Sequence, residues 1–319
     1  MPSLPERFTA SPSRAYAAAV LLAFLALLLP FGSWLPGALV VLLALRHSLP
    51  VPDWTVAAIA GTTIAVWLFA ITGLGFAPSF LVSAALVAPP FLIGRVMARA
   101  GSLNLAFQLA TLAALGLLVV VHVVLADPPG FWRPVLERFA AELDRAGIVL
   151  SNVGSGRRPQ DSEFIESSAA QMWGVVAWLL LFNTMVAAFV GLFWDGTLER
   201  AARLGPAFRS LKAGRTLAAL AVVTTVLTIA FRWSLPVDAM WVFLGAFVLQ
   251  SLAVVHAARA SIGFSVGWLA AVYMLLFVAP VVLPRTAVFV QGGLAVFGFI
   301  DNWFPFRARF TARAQGRSG

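Results

Sequence analysis

The run from Leu103 to Leu125 contains no Asp, Glu, Lys or Arg, and a segment of that kind rules out most folds open to a soluble chain. At a rise of about 1.5 Å per residue, about 20 apolar residues cross the ~30 Å hydrocarbon layer of a bilayer. Inside that layer only helices and closed barrels satisfy their own backbone polar groups. Runs of similar character recur at Trp54 to Ile71, Phe76 to Ile93, Gln171 to Trp194, Thr216 to Phe231, Ala239 to Val255 and Ile262 to Leu283. The chain is 61% hydrophobic and 11% charged, against roughly 45–50% and 25% in soluble domains. No soluble core could absorb that much apolar surface.

Two further apolar stretches are shorter. Ala15 to Leu45 is interrupted by Pro30, Gly32, Pro36 and Gly37, which predicts two short helices joined by a turn. They form either a thin pair of spans or a re-entrant hairpin, with Arg14 and Arg46 on the same side. Ala287 to Ile300 is the last apolar run. Pro89-Pro90 is expected to break or kink the fourth span near its end. The expectation is an all-α polytopic transmembrane helix bundle of about eight to ten membrane segments. It forms one integral membrane domain, with a first helix block at 1–126, an external loop at 127–170, a second block at 171–300 and a basic tail at 301–319. Arg7 and Arg14 precede the first apolar run as in a signal peptide, but no A-x-A site follows, so that run is read as a retained helix.

The net charge of +9 comes from residues set singly or in small groups at the ends of apolar runs. Arg14, Arg46, Arg95, Arg99, Arg203, Arg209, Lys212, Arg215, Arg259 and Arg307 fall on one side, and among short loops only Arg232 and Arg285 fall on the other. Short cytoplasmic loops hold the Lys and Arg, so both termini are assigned to the cytoplasm of a bacterial inner membrane. No basic stripe with interleaved aromatics exists, and nucleic acid is excluded as a partner. The bilayer is the expected partner.

The external loop opens on Asp127-Pro128-Pro129. Phe131-Trp132, Val135-Leu136, Phe139 and Leu143 then recur at helical spacing among charges, which predicts an amphipathic interfacial helix. Ser151 to Ser168 is read as a linker.

Catalytic and metal signatures are missing. The sequence has no cysteine, no Walker A sequence, no H-E-x-x-H and no carboxylate pair within a span, so no enzyme activity, metal or cofactor is expected. Gly263-Phe264-Ser265-Val266-Gly267 matches G-x-S-x-G. A nucleophile elbow needs a strand-to-helix turn, however, and no His follows Ser265 to act as its base.

The polar residues at membrane depth carry what functional signal there is. Asn104, Gln108, Thr111 and His122 lie at offsets of 0, 4, 7 and 18 residues, within about 40° of one helix face. Such a stripe faces protein or water rather than lipid. Intramembrane ionisable residues often line a substrate or proton path, and His122 leads the candidates. Asn183 joins these four as a candidate substrate-binding residue. The bland alternative is that these groups hydrogen-bond neighbouring helices. Thr224, Thr225 and Thr228 are expected to bond their own helix.

Ala15, Ala19 and Ala23 form a small-residue ridge. The ending Gly298-Phe299-Ile300-Asp301-Asn302-Trp303-Phe304-Pro305-Phe306-Arg307, with the overall layout, resembles the YybS-like family of uncharacterised bacterial membrane proteins. That family is distantly similar to the substrate-binding S components of energy-coupling-factor transporters, which dock a coupling protein through a small-residue ridge on their first helix. The resemblance implies docking positions at Ala15, Ala19 and Ala23, and implies that a separate energising membrane protein is the partner. Asp301, Trp303 and Arg307 are candidates for a cytoplasmic docking surface or for an ion pair with an aromatic anchor. Two functions follow as expectations: binding or transport of a small molecule, or a non-catalytic scaffold for envelope proteins acting through the external loop and the basic loop Asp195 to Arg215.

Overall fold

The computed structural model describes residues 3–29, 32–46, 52–73, 75–147, 162–199, 202–231, 233–263, 265–278, 282, 286–304 and 306–315. No strand occurs among them. The helices are α1 (Leu4–Thr9), α2 (Pro12–Leu28), α3 (Trp34–Leu45), α4 (Asp53–Thr72), α5 (Phe76–Ala100), α6 (Leu103–Val124), α7 (Pro128–Arg145) and α8 (Ser162–Ala169). They continue with α9 (Met172–Leu198), α10 (Leu204–Arg209), α11 (Gly214–Phe231), α12 (Ser234–Ile262), α13 (Val266–Tyr273, extended by a π turn over Met274–Val278), α14 (Thr286–Ile300) and α15 (Phe306–Gln315). Six of them, α4, α5, α6, α9, α11 and α12, are long and apolar enough to cross a bilayer, and α2, α3, α13 and α14 supply shorter apolar helices. The chain is an all-helical, multi-pass membrane protein.

Several boundaries differ from expectation. The Ser151 to Ser168 linker reading is cut back, because Ser162–Ala169 is helical and 151–161 lie outside the described residues. Helix α9 runs on to Leu198, so Asp195 sits in a helix and is buried instead of opening a loop. Helix α12 starts at Ser234, with Pro236 in its first turn, where a missing N–H costs nothing. That places Asp238 inside the helix.

The chain divides into two compact units. Unit 1 comprises Met1–Ala110 and Leu179–Leu211, and unit 2 comprises Thr111–Trp178 and Lys212–Gly319. The divisions fall within α6 and α9, not at the polar loop.

Unit 1 is built around α3. Pro36 to Ala44 are all buried, which suits a helix apolar on every face and explains how so short a helix can be stable without meeting lipid. Close approach depends on missing side chains. A Cβ at Gly94 of α5 would lie 3.1 Å from Val41 Cα, and one at Gly191 of α9 would lie 2.6 Å from Val41 Cγ1. Helix α2 packs on α3 and α4, and Ala15, Ala19 and Ala23 are each 0% exposed in the cluster with Leu39, Leu42, Val56, Ala60 and Ile64. The small-residue ridge is thus filled by the chain's own helices, and a docking partner would have to displace them.

Pro89 and Pro90 do not break α5, which runs continuously from Phe76 to Ala100. Proline has no N–H, so Pro90 leaves the Leu86 carbonyl without its helical donor, and membrane helices tolerate this where a neighbour supplies one. Asn183 of α9 does so: its Nδ2 donates to Leu86 O at 3.2 Å. We expect Asn183→Ala to destabilise the protein by about 1–3 kcal/mol, the cost of an orphaned buried acceptor. In a Pro90→Ala background, where the N–H returns, most of that loss should vanish. A double-mutant cycle of unfolding in detergent reads the coupling, and additive losses would rule out this pairing.

Charged residues in unit 1 collect in two networks. Asp53, at the first turn of α4, receives Arg95 Nε and Nη2 at 3.0 and 2.9 Å. Asp195 receives Arg46 Nε at 3.0 Å and Arg203 Nη1 at 2.8 Å, and Glu199 also pairs with Arg203. Arg46 caps the C-terminus of α3, where the helix dipole favours a cation.

Unit 2 is built around α12, against which α11, α14 and α15 pack. The approach of α14 is closest at Gly298, where a Cβ would run into the Phe247 carbonyl. Outside the spans, α7 and α8 pack together. Arg133 clasps them, binding Asp127 Oδ2 at 2.6 Å and Glu166 Oε1 at 2.7 Å, and Trp173 Nε1 donates to Pro128 O at 3.1 Å. The Arg133 guanidinium, with the Gly130 N–H, holds the Asp127 carboxyl below the usual carboxylate range. A carboxylate with a depressed pKa stabilises the folded form above its unfolded pKa of about 4 and loses that contribution as pH falls through the folded value. Amide exchange in 128–145 should therefore quicken relative to the spans on acidification below pH ~4, and Arg133→Ala should remove that pH dependence.

Candidate functional site

The polar stripe of α6 is present as a helix face, and its members have different fates. Asn104 and Gln108 are half-buried in unit 1. In unit 2, Thr111 is buried and His122 meets a residue that the sequence reading passed over. His122 Nε2 lies 3.2 Å from Asp238 Oδ2, with the two side chains 9% and 2% exposed. His122 Nδ1 lies 2.9 Å from the Leu118 carbonyl, which can only accept, so Nδ1 carries a proton. Asp238 Oδ1 accepts from Gly174 N at 2.7 Å, which ties the start of α9 to α12. Gly174 has no room for a side chain, since a Cβ would stand 2.7 Å from Asp238 Cα and 2.8 Å from Trp241 Cδ1.

Beside this knot lies a cavity of about 720 Å³. Its floor is α12, with Met240, Phe243, Leu244 and Phe247, and its walls are α11 and α14, with Val226 and Val296 among the lining residues. Gln171, Thr225 and Gln291 are amide and hydroxyl groups on its surface, and no Asp, Glu, Lys or Arg is among the described residues that line it. Thr225 Oγ1 is turned back to the Ala221 carbonyl at 2.8 Å, and Thr228 likewise bonds Thr224 O. Both serve their own helix, as expected for threonine in a span. The size suits a small-molecule pocket, for which about 300–1,000 Å³ is usual. None of the five candidate substrate-binding residues lines it. His122 stands behind it through Asp238, Gly174 and Trp241.

A second polar knot forms at Gln250, past the middle of α12. Gln250 Oε1 accepts from Ala213 N at 2.8 Å and its Nε2 donates to Asp301 Oδ2 at 2.8 Å. Asn302 Oδ1 accepts from Gly214 N at 2.8 Å, and Arg307 Nη2 donates to Asp301 Oδ2 at 2.9 Å. Together these groups satisfy the N-terminus of α11, whose first N–H groups have no helical partner. Asp301 is 2% exposed, so the expected Asp301–Arg307 pair forms, but inside the protein. Trp303 is exposed.

Elsewhere, Gly263 takes a left-handed turn at φ 80° after α12, and Ser265 stands at the N-cap of α13. This is a helix-to-helix turn, and Phe264 lies outside the described residues. His256 Nε2 meets Tyr273 Oη at 3.0 Å. No group of three or more His, Cys, Asp or Glu suited to a metal occurs among the described residues.

Sequence reasoning missed Asp238 because the eighth span was begun one residue after it. The available signal was that a carboxylate inside a helix N-terminus needs a donor, and Gly174 supplies one. Compared with family models, curated proteins and solved structures, the chain matches none of them.

Proposed function

We propose that this protein is a bacterial inner-membrane protein that binds a small molecule in the cavity of unit 2, in the manner of a transporter's substrate-binding component served by a separate energising membrane protein. The observation that carries the reading is the cavity itself: about 720 Å³ of mostly apolar space, with amides on its wall and no charged side chain among the described residues that line it. In this reading both termini are cytoplasmic, and within unit 1 the sharing of Asp195 by Arg46 and Arg203 supports the assignment of those two residues to one side. Native mass spectrometry of protein purified in mild detergent should detect a bound small molecule, and Ala295→Trp, which fills the cavity, should abolish the adduct while α-helical content is kept. An adduct that persists in Ala295→Trp would place the ligand elsewhere.

A scaffold reading is favoured by one feature. Phe131, Val135 and Phe139 form an exposed apolar stripe on α7, open to the membrane surface or to an envelope partner. If capture of such a partner is the function, deleting 151–168 should abolish it while leaving the small-molecule adduct unchanged.

A further inference from the structure

The shape of the cavity specifies the class of its occupant, an inference that rests on the cavity being a binding site. Val222 and Val226 of α11 and Val288 and Val296 of α14 are 46%, 58%, 76% and 58% exposed, and all four line it. They belong to apolar helices at membrane depth, so the mouth opens sideways into hydrocarbon rather than upward into water. From Val288 to Phe299 the wall rises about 16 Å, at about 1.5 Å per residue, and half of a ~30 Å hydrocarbon core is one leaflet.

The lining carries three phenyl rings, Phe247 standing 6.1 Å from Phe243 and 5.5 Å from Phe299, and two amides, Gln171 and Gln291. With no charged side chain among the described residues of the lining, a carboxylate or phosphate head would find no counter-charge there and would be desolvated without compensation.

We propose that the groove binds a single-chain amphiphile drawn laterally from one leaflet. Its aliphatic tail lies against Phe243, Phe247 and Phe299, and its uncharged hydrogen-bonding head, a hydroxyl, ester or amide, is held by Gln171 and Gln291.

The test uses the full-length protein in phosphatidylethanolamine/phosphatidylglycerol vesicles doped with a long-chain alcohol carrying a tail diazirine. Photolysis should place adducts on the groove-lining peptides of α11, α12 and α14. The yield should fall at least tenfold in Val296→Trp, a change at an exposed position that leaves folding intact by circular dichroism, and severalfold in Gln291→Leu. Excess hexadecanol should compete and palmitate should not. Adducts spread over all lipid-facing spans and indifferent to Val296→Trp would overturn the proposal, as would equal competition by palmitate or a crosslink from the groove to a partner helix. A water-soluble ligand bound in the groove and lost in Val296→Trp would overturn the amphiphile while leaving the binding reading intact.

Discussion

Asp301→Ala is expected to destabilise the protein by about 3–5 kcal/mol, the usual loss when one partner of a buried charged pair is removed. The carboxylate is 2% exposed and accepts from both Gln250 and Arg307, so its removal strands an amide donor and a guanidinium that is itself largely buried. The damage spreads because Gln250 is also the acceptor for Ala213 N, at the start of α11. Asp301→Asn keeps an oxygen toward Gln250 and should cost less, near the ~1–1.5 kcal/mol of an ordinary hydrogen bond. Trp303→Ala, two residues along and exposed, should stay within about 0.5 kcal/mol. Thermal unfolding in detergent measures all three. Wild-type stability in Asp301→Ala would show that the knot does not hold α11, α12 and α14 together. It would also return Asp301 to the list of candidate docking groups.

Asp195→Ala should be comparably severe, again about 3–5 kcal/mol. At 1% exposure Asp195 is the shared counter-ion of Arg46 and Arg203, and Arg46 Nη2 also reaches its backbone carbonyl at 3.3 Å. Without the carboxylate, Arg46 Nε loses its acceptor, and the guanidinium keeps only that carbonyl and Glu199, 3.7 Å away. Replacing both partners, as in Arg46→Met with Asp195→Leu, should recover most of the loss, because an apolar pair of similar volume often equals a buried ion pair. If the double variant is no better than Asp195→Ala, the cost lies in packing and not in charge.

The helices themselves were legible before any coordinates. The span Leu103–Val124 is written in an uninterrupted apolar run, and the amphipathic α7 is written in the spacing of Phe131, Val135 and Phe139. Partnership was not legible. Asn183 looked like a ligand group, but its amide serves the carbonyl that Pro90 leaves without a donor, 97 positions apart in the chain. Ala15, Ala19 and Ala23 looked like a docking ridge, and α3 and α4 cover it from within. Asp301 and Arg307 read as either a docking surface or an ion pair, and they do pair, but inside the protein in a knot with Gln250.

By itself the sequence determined that this chain is helical and crosses a membrane several times. Hydrocarbon thickness and the cost of unpaired backbone act on contiguous residues, and a linear run of apolar side chains answers both. Only the tertiary structure decided which polar groups meet and where space remains. The His122–Asp238 pair, the Gln250–Asp301 knot and the apolar groove between α11 and α14 depend on which helices pack side by side. Lipid surrounds every apolar helix face equally, so hydropathy says little about that choice. It is made by small residues that permit close approach, such as Gly174 and Gly298, and by buried donors and acceptors that must find one another.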